Sequence, residues 1–472
     1  MKELSIAVLA AGKGSRLQLP WPKVLCPILG QTMLDYVLGS LANFTSEKNL
    51  DAQVGVVTGY LGQQVINHLA KVPALIPRHI VIQKEQLGTA DAVKAYLEQT
   101  PQALLVPMTM IVCGDTPLLT EEIFKKMWDR LQAKADLQAV ACSFITCDPS
   151  GLGRIIRENG KAGFKIVEEK DATAEQKKIN EVNAALYLIR TPFLSTFLSK
   201  ISNKNNAKEF YLTDLFAFGQ EVETLCYQED EYFLGVNDQE QLEVVTKKLQ
   251  KRKIQQLRSH GVFIPDAGTV SIDWNVKAQS GATIYPGCVL QGYCELGESS
   301  HLGPYAVLRD TKVLANAKVH PFTVTEGAVI GDSSEVGPLA RLRPGANLAA
   351  KVKIGNFVEV KKSDLGKGAK VSHLSYIGDA IIGEDANIGC GFITCNYDGK
   401  NKHQTIIGAR TFIGSDCQAI APISIGSDSF VAAGSTLTQD VPSGAFVIAR
   451  ARQSTKIDLA KRFLKPGGSD KV

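Results

Sequence analysis

One aliphatic residue recurs at every sixth position through much of the second half of the chain. The series runs Ile284, Leu290, Leu296, Leu302, Leu308, then Ile330, Val336, Leu342, Leu348, Ile354, Val360, and again Ile407, Ile413, Ala419, Ile425, Val431, Leu437. Neither the helical period near 3.6 nor the strand period of 2 gives a repeat of six. A hexapeptide-repeat β-helix does, because each hexad makes one short flat side and one aliphatic residue per side fills the axis. Three hexads per coil predict a triangular prism, left-handed in known examples. The run TCNYDGKNKHQT, 394–405, breaks the period. It is expected to leave the prism as a protruding loop, where function on a rigid scaffold tends to reside.

The first half reads differently. SIAVLAAG, VGVVTGY, HIVIQ and TMIVCGD have the apolar character of strands, while MLDYVLGSLANF, LGQQVINHLAKV and GTADAVKAYLEQT carry helical spacing between them. This alternation predicts a doubly wound α/β domain built on a parallel sheet covered on both faces. Ligands in such sheets bind beyond the carboxyl ends of the strands. The opening loop after Ala10 and the pair Gly114-Asp115 both fall at such ends. DQEQLEVVTKKLQKRKIQQLRSHG predicts one helix with Leu242, Val245 and Leu249 on a stripe, terminated at Gly261. The expected organisation is therefore residues 1–237, a linker helix 238–260, and a β-helix with a carboxyl-terminal tail, 261–472.

Composition narrows the class. A net charge of +4 over 472 residues gives no reason to expect nucleic acid, and the run Lys247 to Arg258 reads as a solvated face or a support for the neighbouring domain. MKELSIAVLAAG has too short an apolar run for a signal peptide, and no stretch approaches the roughly 18 apolar residues of a membrane helix. Ten scattered cysteines without a CxxC pair point to reduced thiols in a cytoplasm.

Taken alone, AAGKGSR is ambiguous between a phosphate-binding loop and an ordinary strand-to-helix turn, since it matches neither GxxxxGK[ST] nor GxGxxG with an acidic partner. In company it is more specific. LAAGKGSR…PK is followed in order by QKEQLGTADAV (83–93), CGDTPLL (113–119), GLGRIIRENG (151–160), IVEEKDA (166–172), EVNAALYLI (181–189), EFYLTD (209–214) and GVND (235–238). The prism carries ARLRPG (340–345), GNFVEVKKS (355–363), SHLSYIGDA (372–380), NIGCGFITCNYDG (387–399) and GSD (414–416). Nearly end to end, this series resembles the bacterial bifunctional N-acetylglucosamine-1-phosphate uridyltransferase/glucosamine-1-phosphate acetyltransferases.

That resemblance implies two reactions. In the first half, a sugar 1-phosphate oxygen would attack the α-phosphorus of UTP and release pyrophosphate. Leu9, Ala10, Ala11, Gly12 and Gly14 would form the nucleotide loop, with Arg16 and Lys23 supplying charge at the reacting phosphates. Gln83, Gly88 and Thr89 match the uracil-contacting segment, and Gly114 stands beside Asp115. Gly153, Glu168 and Asn183 match sugar-contacting positions, against a plain solvated charge cluster as the other reading of Glu168. Asp115 and Asn237 would hold Mg²⁺, where the bland readings are a turn aspartate and a helix cap. Trp21 and an extra proline, Pro22, depart from the family pattern and put the path of the loop in question.

In the second half, His373 would act as general base for direct acetyl transfer from acetyl-CoA to the amine of glucosamine 1-phosphate. Arg343 and Lys361 would bind the sugar phosphate, and Tyr376 and Asn387 would orient the sugar. Cys390, Asn396, Tyr397, Ser415, Ala433 and Arg450 match CoA-site positions, Cys390 standing where relatives commonly have Ala. The resemblance further implies a homotrimer through the β-helix, cleft-closing by the tail KIDLAKRFLK, and a product, UDP-N-acetylglucosamine, that feeds cell-envelope polymers. A single-activity nucleotidyltransferase and a non-enzymatic scaffold are the alternatives. The His373 set speaks against the first, and Gly12, Lys23 and Asp115 against the second.

Overall fold

The computed structural model describes residues 3–464 except 15, 74–75, 101–105, 158–162 and 220. The chain divides into two compact units, Met1–Arg252 and Lys253–Val472. Ser15 of the opening loop, the last three residues of GLGRIIRENG and the end of KIDLAKRFLK lie outside the described residues.

The main sheet of the first unit is built from β1 (Leu4–Ala10), β2 (Ala52–Thr58), β3 (Arg78–Ile82), β4 (Met108–Cys113), β5 (Ala139–Ile145), β6 (Glu181–Arg190) and β7 (Val222–Tyr227). Its order is β7-β5-β6-β4-β1-β2-β3. The alternation of β1 shows why the sheet is covered twice. Leu4, Ile6 and Val8 enter one hydrophobic cluster with α1 (Met33–Glu47) and α4 (Glu121–Gln132), while Ala7 enters the other with α3 (Thr89–Gln99) and α5 (Thr191–Leu198). α2 (Gly62–Lys71) joins β2 to β3. The expected parallel sheet needs one correction. β6 runs antiparallel to both β4 and β5, although the other neighbouring pairs are parallel. Apolar periodicity identifies a strand and carries no information on its direction.

β1 leads on one side to β2 and β3, whereas β4 lies on its other side. The loops after β1 and β4 therefore part above a crevice at the carboxyl ends, the usual ligand position in open α/β sheets. Short strands Arg154–Ile156 and Lys165–Val167 form an antiparallel pair attached to β6 through Val182.

The division between units falls within α6 (Gln239–Ser259), which Gly261 follows at φ +81°. Its basic run is more than a solvated face. In the first unit, Arg252 donates to the carbonyls of Leu118 and Glu231 at 2.7 and 3.1 Å. In the second, Lys253 is buried, with its ammonium 5.8 Å from the centre of the Trp274 ring.

The second unit is the left-handed β-helix, three parallel sheets of 10, 9 and 10 strands. One inward column runs Ile284, Leu302, Val319, Val336, Ile354, Val371, Ile388, Ile413, Val431 in register. Each such fully buried side chain contributes about 1.5–3 kcal/mol relative to exposure. The same column explains the apparent gaps in the hexads. Several coils are one residue short of three hexads, and Thr325 and Thr394 take inward positions in a column otherwise filled by aliphatic residues. Their hydroxyls are satisfied, Thr325 by Thr311 at 3.0 Å and Thr394 by the Gly378 backbone. Ile254 and Leu257 of α6 extend this core.

Thr394 and Cys395 belong to a strand, as does Thr405, so the excursion from the prism is residues 396–404 rather than 394–405. The described part of the tail KIDLAKRFLK holds a single 3-10 turn, Leu459–Arg462. One corner of the prism carries Tyr305, Phe322, Leu339, Phe357 and Leu374 on successive coils, each at positive φ and about half exposed. Side chains of this bulk rarely occupy that backbone region.

Candidate active sites

In the first unit the opening loop is pinned at two points. Leu17 is buried and donates its N–H to the Gly14 carbonyl, closing a tight turn. Pro22 then begins a one-turn 3-10 helix, Lys23–Leu25, with Leu25 N–H bonded to the Pro22 carbonyl at 2.9 Å. The departure at Trp21-Pro22 thus sets the start of the turn that aims Lys23, while the Trp21 ring stays partly exposed. The Lys23 ammonium forms an ion pair with Asp115 and donates to Asn237 Oδ1 at 2.7 Å.

These residues line a cavity of about 390 Å³, together with Leu9, Ala11, Gly12, Gly14, Arg16, Gln83, Gly88 and Thr89. The two loop glycines serve different ends. A Cβ on Gly12 would meet nothing and would simply enter the open space. Gly14 sits at φ +58°, and a Cβ there would come within 2.8 Å of the Lys23 Cβ. Gly88, at φ +129°, lies so close to Phe210 that a Cβ would stand 2.5 Å from its carbonyl oxygen. Gln83 donates both amide hydrogens, to the Gly88 carbonyl at 3.2 Å and to Asp91 at 2.7 Å. Only its carbonyl oxygen is left to meet a ligand, as an acceptor. Thr89 Oγ1 accepts from Leu212 N–H.

Ala10 and Gly114 stand behind the cavity wall. Ala10 belongs to the core, and Gly114 N–H bonds to the Leu9 carbonyl at 2.9 Å. Gly153, Glu168 and Asn183 form a separate cluster, in which the Gly153 carbonyl accepts from Asn183 N–H at 2.8 Å. Glu168 accepts from the Thr213 hydroxyl at 3.0 Å. Burial pushes the Glu168 carboxyl up, and the charges of Asp214, Asp171 and Glu209 add to this against the Thr213 bond. The Asn183 side chain is largely committed to a bulge in β6, holding Ala185 N–H and the Tyr187 hydroxyl. Sequence reasoning missed Gln86, Glu209 and Cys113 in the cavity lining. The Cys113 thiol is pushed up to about 12 by burial and by Asp115, so it is no nucleophile at neutral pH.

In the second unit the predicted residues collect at the two ends of one prism face. Asn356 pairs with His373, and counting on through the paired strands places Cys390, Ser415 and Ala433 beneath them, with Arg450 beside the last step. Four coil steps separate His373 from Arg450, roughly 19 Å at the strand spacing of about 4.8 Å. His373 is exposed, and its Nδ1 lies 2.9 Å from Asn356 Oδ1.

At the far end of the face, Arg343 and Lys361 follow each other one coil apart. Arg343 bonds to Glu359 at 2.9 Å, which raises the guanidinium pKa. Tyr376 lies between the two ends, its hydroxyl over Gly378, the residue in register with Lys361. Asn387 sits on the adjacent face, between Lys370 and Phe412. Asn396 is buried and its amide is bound to Asp379 at 2.5 Å, so it roots the excursion loop, whereas Tyr397 stands exposed on it. Sequence reasoning missed two residues here, Asn356 and Lys402. Lys402 pairs with Tyr397 across the loop rooted on Asp379, whose N–H bonds to the Lys361 carbonyl at 3.0 Å, and contact with the Lys361 side chain and its charge lowers the Lys402 pKa.

A cavity of about 390 Å³ behind a glycine loop, at the carboxyl ends of an α/β sheet, fits a nucleotidyltransferase. A hexapeptide prism with an exposed histidine at its corner fits an acyltransferase. Residues 6–151 match the MobA-like NTP transferase domain, and residues 404–439 the hexapeptide repeat of succinyl-transferase. Over 458 residues the chain is 41% identical to the bifunctional protein GlmU of Carboxydothermus hydrogenoformans, covering 96% of this chain and 99% of that one. It is 38% identical over 457 residues to the Acinetobacter baylyi protein of the same name, covering 96% and 97%. The chain belongs to the bifunctional GlmU family. A crystal structure titled putative UDP-N-acetylglucosamine pyrophosphorylase, from Entamoeba histolytica, gives a looser likeness. Its TM-score is 0.46 at 15% identity, over 61% of this chain and 93% of that one.

Proposed function

We propose that this bifunctional enzyme makes UDP-N-acetylglucosamine, acetylating glucosamine 1-phosphate in the β-helix and uridylylating the product in the α/β unit. Residues 1–237 carry the second reaction, 261–472 the first, and 238–260 connect them. The observation that carries the reading is the joint presence of the Lys23–Asp115–Asn237 cluster and the Asn356–His373 pair in one chain.

In uridylyl transfer, the N–H groups of the Gly12 loop face the triphosphate, with Arg16 and Lys23 offsetting charge as pyrophosphate departs. Gln83, with Gly88 and Thr89, reads the uracil edge, its free carbonyl oxygen suited to the imide N–H. Gly153, Glu168 and Asn183 hold the sugar hydroxyls. The site also suits Mg²⁺. Asp115 and Asn237 already aim two oxygens at one cation, the Lys23 ammonium, and a magnesium ion needs few protein oxygens when phosphates complete its shell. Bound there, the metal would neutralise phosphate charge.

In acetyl transfer, the amine nitrogen of glucosamine 1-phosphate attacks the thioester carbonyl of acetyl-CoA. His373 Nε2 takes the amine proton, and the CoA sulfur leaves with the electrons of the broken bond. Arg343, Lys361 and Lys402 hold the phosphate, while Tyr376 and Asn387 orient the sugar. CoA extends along the corner past Cys390, Ser415 and Ala433 to Arg450, with Tyr397 at the cleft.

The prism acts as a homotrimer. The half-exposed apolar corner from Tyr305 to Leu374 supports this, since so continuous a ladder beside His373 calls for a covering surface. The enzyme works in the cytoplasm on small molecules. All ten cysteines are unpaired, and no helix among the described residues is long and apolar enough to cross a membrane. Release of CoA from acetyl-CoA and glucosamine 1-phosphate, followed by pyrophosphate release on adding UTP and Mg²⁺, tests the reading. Failure of the wild-type chain to release CoA overturns the acetyl-transfer half.

A further inference from the structure

The excursion loop is short, polar and largely exposed, yet it is rooted on Asp379, whose N–H bonds to the Lys361 carbonyl at 3.0 Å, and it brings Lys402 into contact with Lys361. Two ammonium groups repel there, and a free lysine side chain would swing away and regain its rotamer freedom. Something other than an apolar core must hold the loop. Its base is fixed by Asn396 on Asp379, by Thr405 N–H on the Asp379 carbonyl at 3.2 Å, and by His403 N–H on the Asn396 carbonyl at 2.8 Å. Above the base, Tyr397 and Lys402 form an antiparallel bridge.

The tip is organised by one side chain. Asp398 Oδ1 accepts the backbone N–H groups of Lys400 and Asn401 at 2.7 and 2.6 Å, and Oδ2 meets His403 Nε2 at 2.7 Å. These three donors flank Lys402 on both sides in sequence. The Asn401 and Lys400 amides and His403 hold the Asp398 carboxyl far below the usual range. The carboxylate is thus engaged by the loop itself rather than free to meet substrate.

We propose that Asp398 and His403 form a brace that positions Lys402 against Lys361, so that the pair receives the phosphate of the acetyl acceptor. This rests on the acetyl-transfer reading above. Asp398 and His403 are positioning residues: they act through Lys402 and touch no reacting atom. A rigid loop makes the two positive charges available together and leaves the substrate phosphate to relieve their repulsion. The specificity of the acetylation site for a phosphorylated amine then depends on this brace as well as on the lysines.

The test is steady-state acetyl transfer with full-length Asp398→Ala, His403→Ala and His403→Gln. Asp398→Ala and His403→Ala are expected to raise KM for glucosamine 1-phosphate at least tenfold, with kcat and the KM for acetyl-CoA within threefold. His403→Gln, which retains a donor, should recover most of the wild-type KM. Uridylyl transfer by the same preparations reports folding of the chain. If the wild type acetylates but both alanine variants keep KM within twofold, the brace is overturned. It is equally overturned if kcat and both KM values move together, as a general loss of loop structure would require. If the wild type itself does not acetylate, the underlying reading fails instead.

Discussion

Asn356 Oδ1 lies 2.9 Å from Nδ1 of His373, one coil apart on the same corner of the prism. A carboxamide oxygen can only accept, so the Nδ1 of His373 carries the proton and Nε2 presents its lone pair outward. The neighbouring coil thereby fixes which nitrogen faces outward, the one that the proposed acetyl transfer would use as base.

Asn356→Ala should lower kcat for acetyl transfer roughly 10- to 100-fold, since general-base contributions are about 10²–10⁴ and only orientation is lost. The KM for each substrate should stay within about twofold. Asn356→Asp should restore activity and move the acid limb of kcat/KM to higher pH, because a carboxylate favours the imidazolium. Stopped assays of CoA release across pH check both outcomes.

The two loop glycines should respond differently to alanine. A Cβ at Gly12 meets only open space, so Gly12→Ala should leave the melting temperature unchanged and raise the KM for UTP. Gly14→Ala places a side chain at φ +58° against Lys23, costing roughly 1–2 kcal/mol in backbone strain and displacing the ammonium. Its signature is a lower kcat for uridylyl transfer together with a lower melting temperature. Calorimetry and pyrophosphate release distinguish the two.

Much of this was legible in the chain. The six-residue period announces the prism, and β1 through β4 with the helices between them stand where the apolar runs place them. What stayed hidden has physical causes. Coils shortened by one residue, and inward threonines such as Thr325 and Thr394, break the period without breaking the prism. The antiparallel course of β6 leaves no mark on periodicity. Asn356 escaped because its role depends on stacking seventeen positions ahead of His373, which a linear motif does not display. Lys402 escaped because hydrogen bonds within an irregular loop decide where it points.

Lys253 makes stability depend on pH in a defined direction. Burial, with the charge of Lys277, pushes its ammonium down to about 8. The same amine titrates near 10.4 when unfolded. Between these values the unfolded chain binds more protons, so stability rises with pH across that window and its cost is fully present below about pH 8. Lys253→Met should raise stability at pH 7 by about 1–3 kcal/mol and flatten the difference between pH 7 and pH 10. Urea unfolding of both proteins at the two pH values measures it.

The proposed function places two chemically separate active sites on one chain. The most direct measurement assays both reactions on His373→Ala and Asp115→Ala. His373→Ala should lose acetyl transfer and keep uridylyl transfer near the wild-type rate, and Asp115→Ala should do the reverse. Loss of both reactions from either substitution in a folded chain, or survival of acetyl transfer without His373, would contradict it.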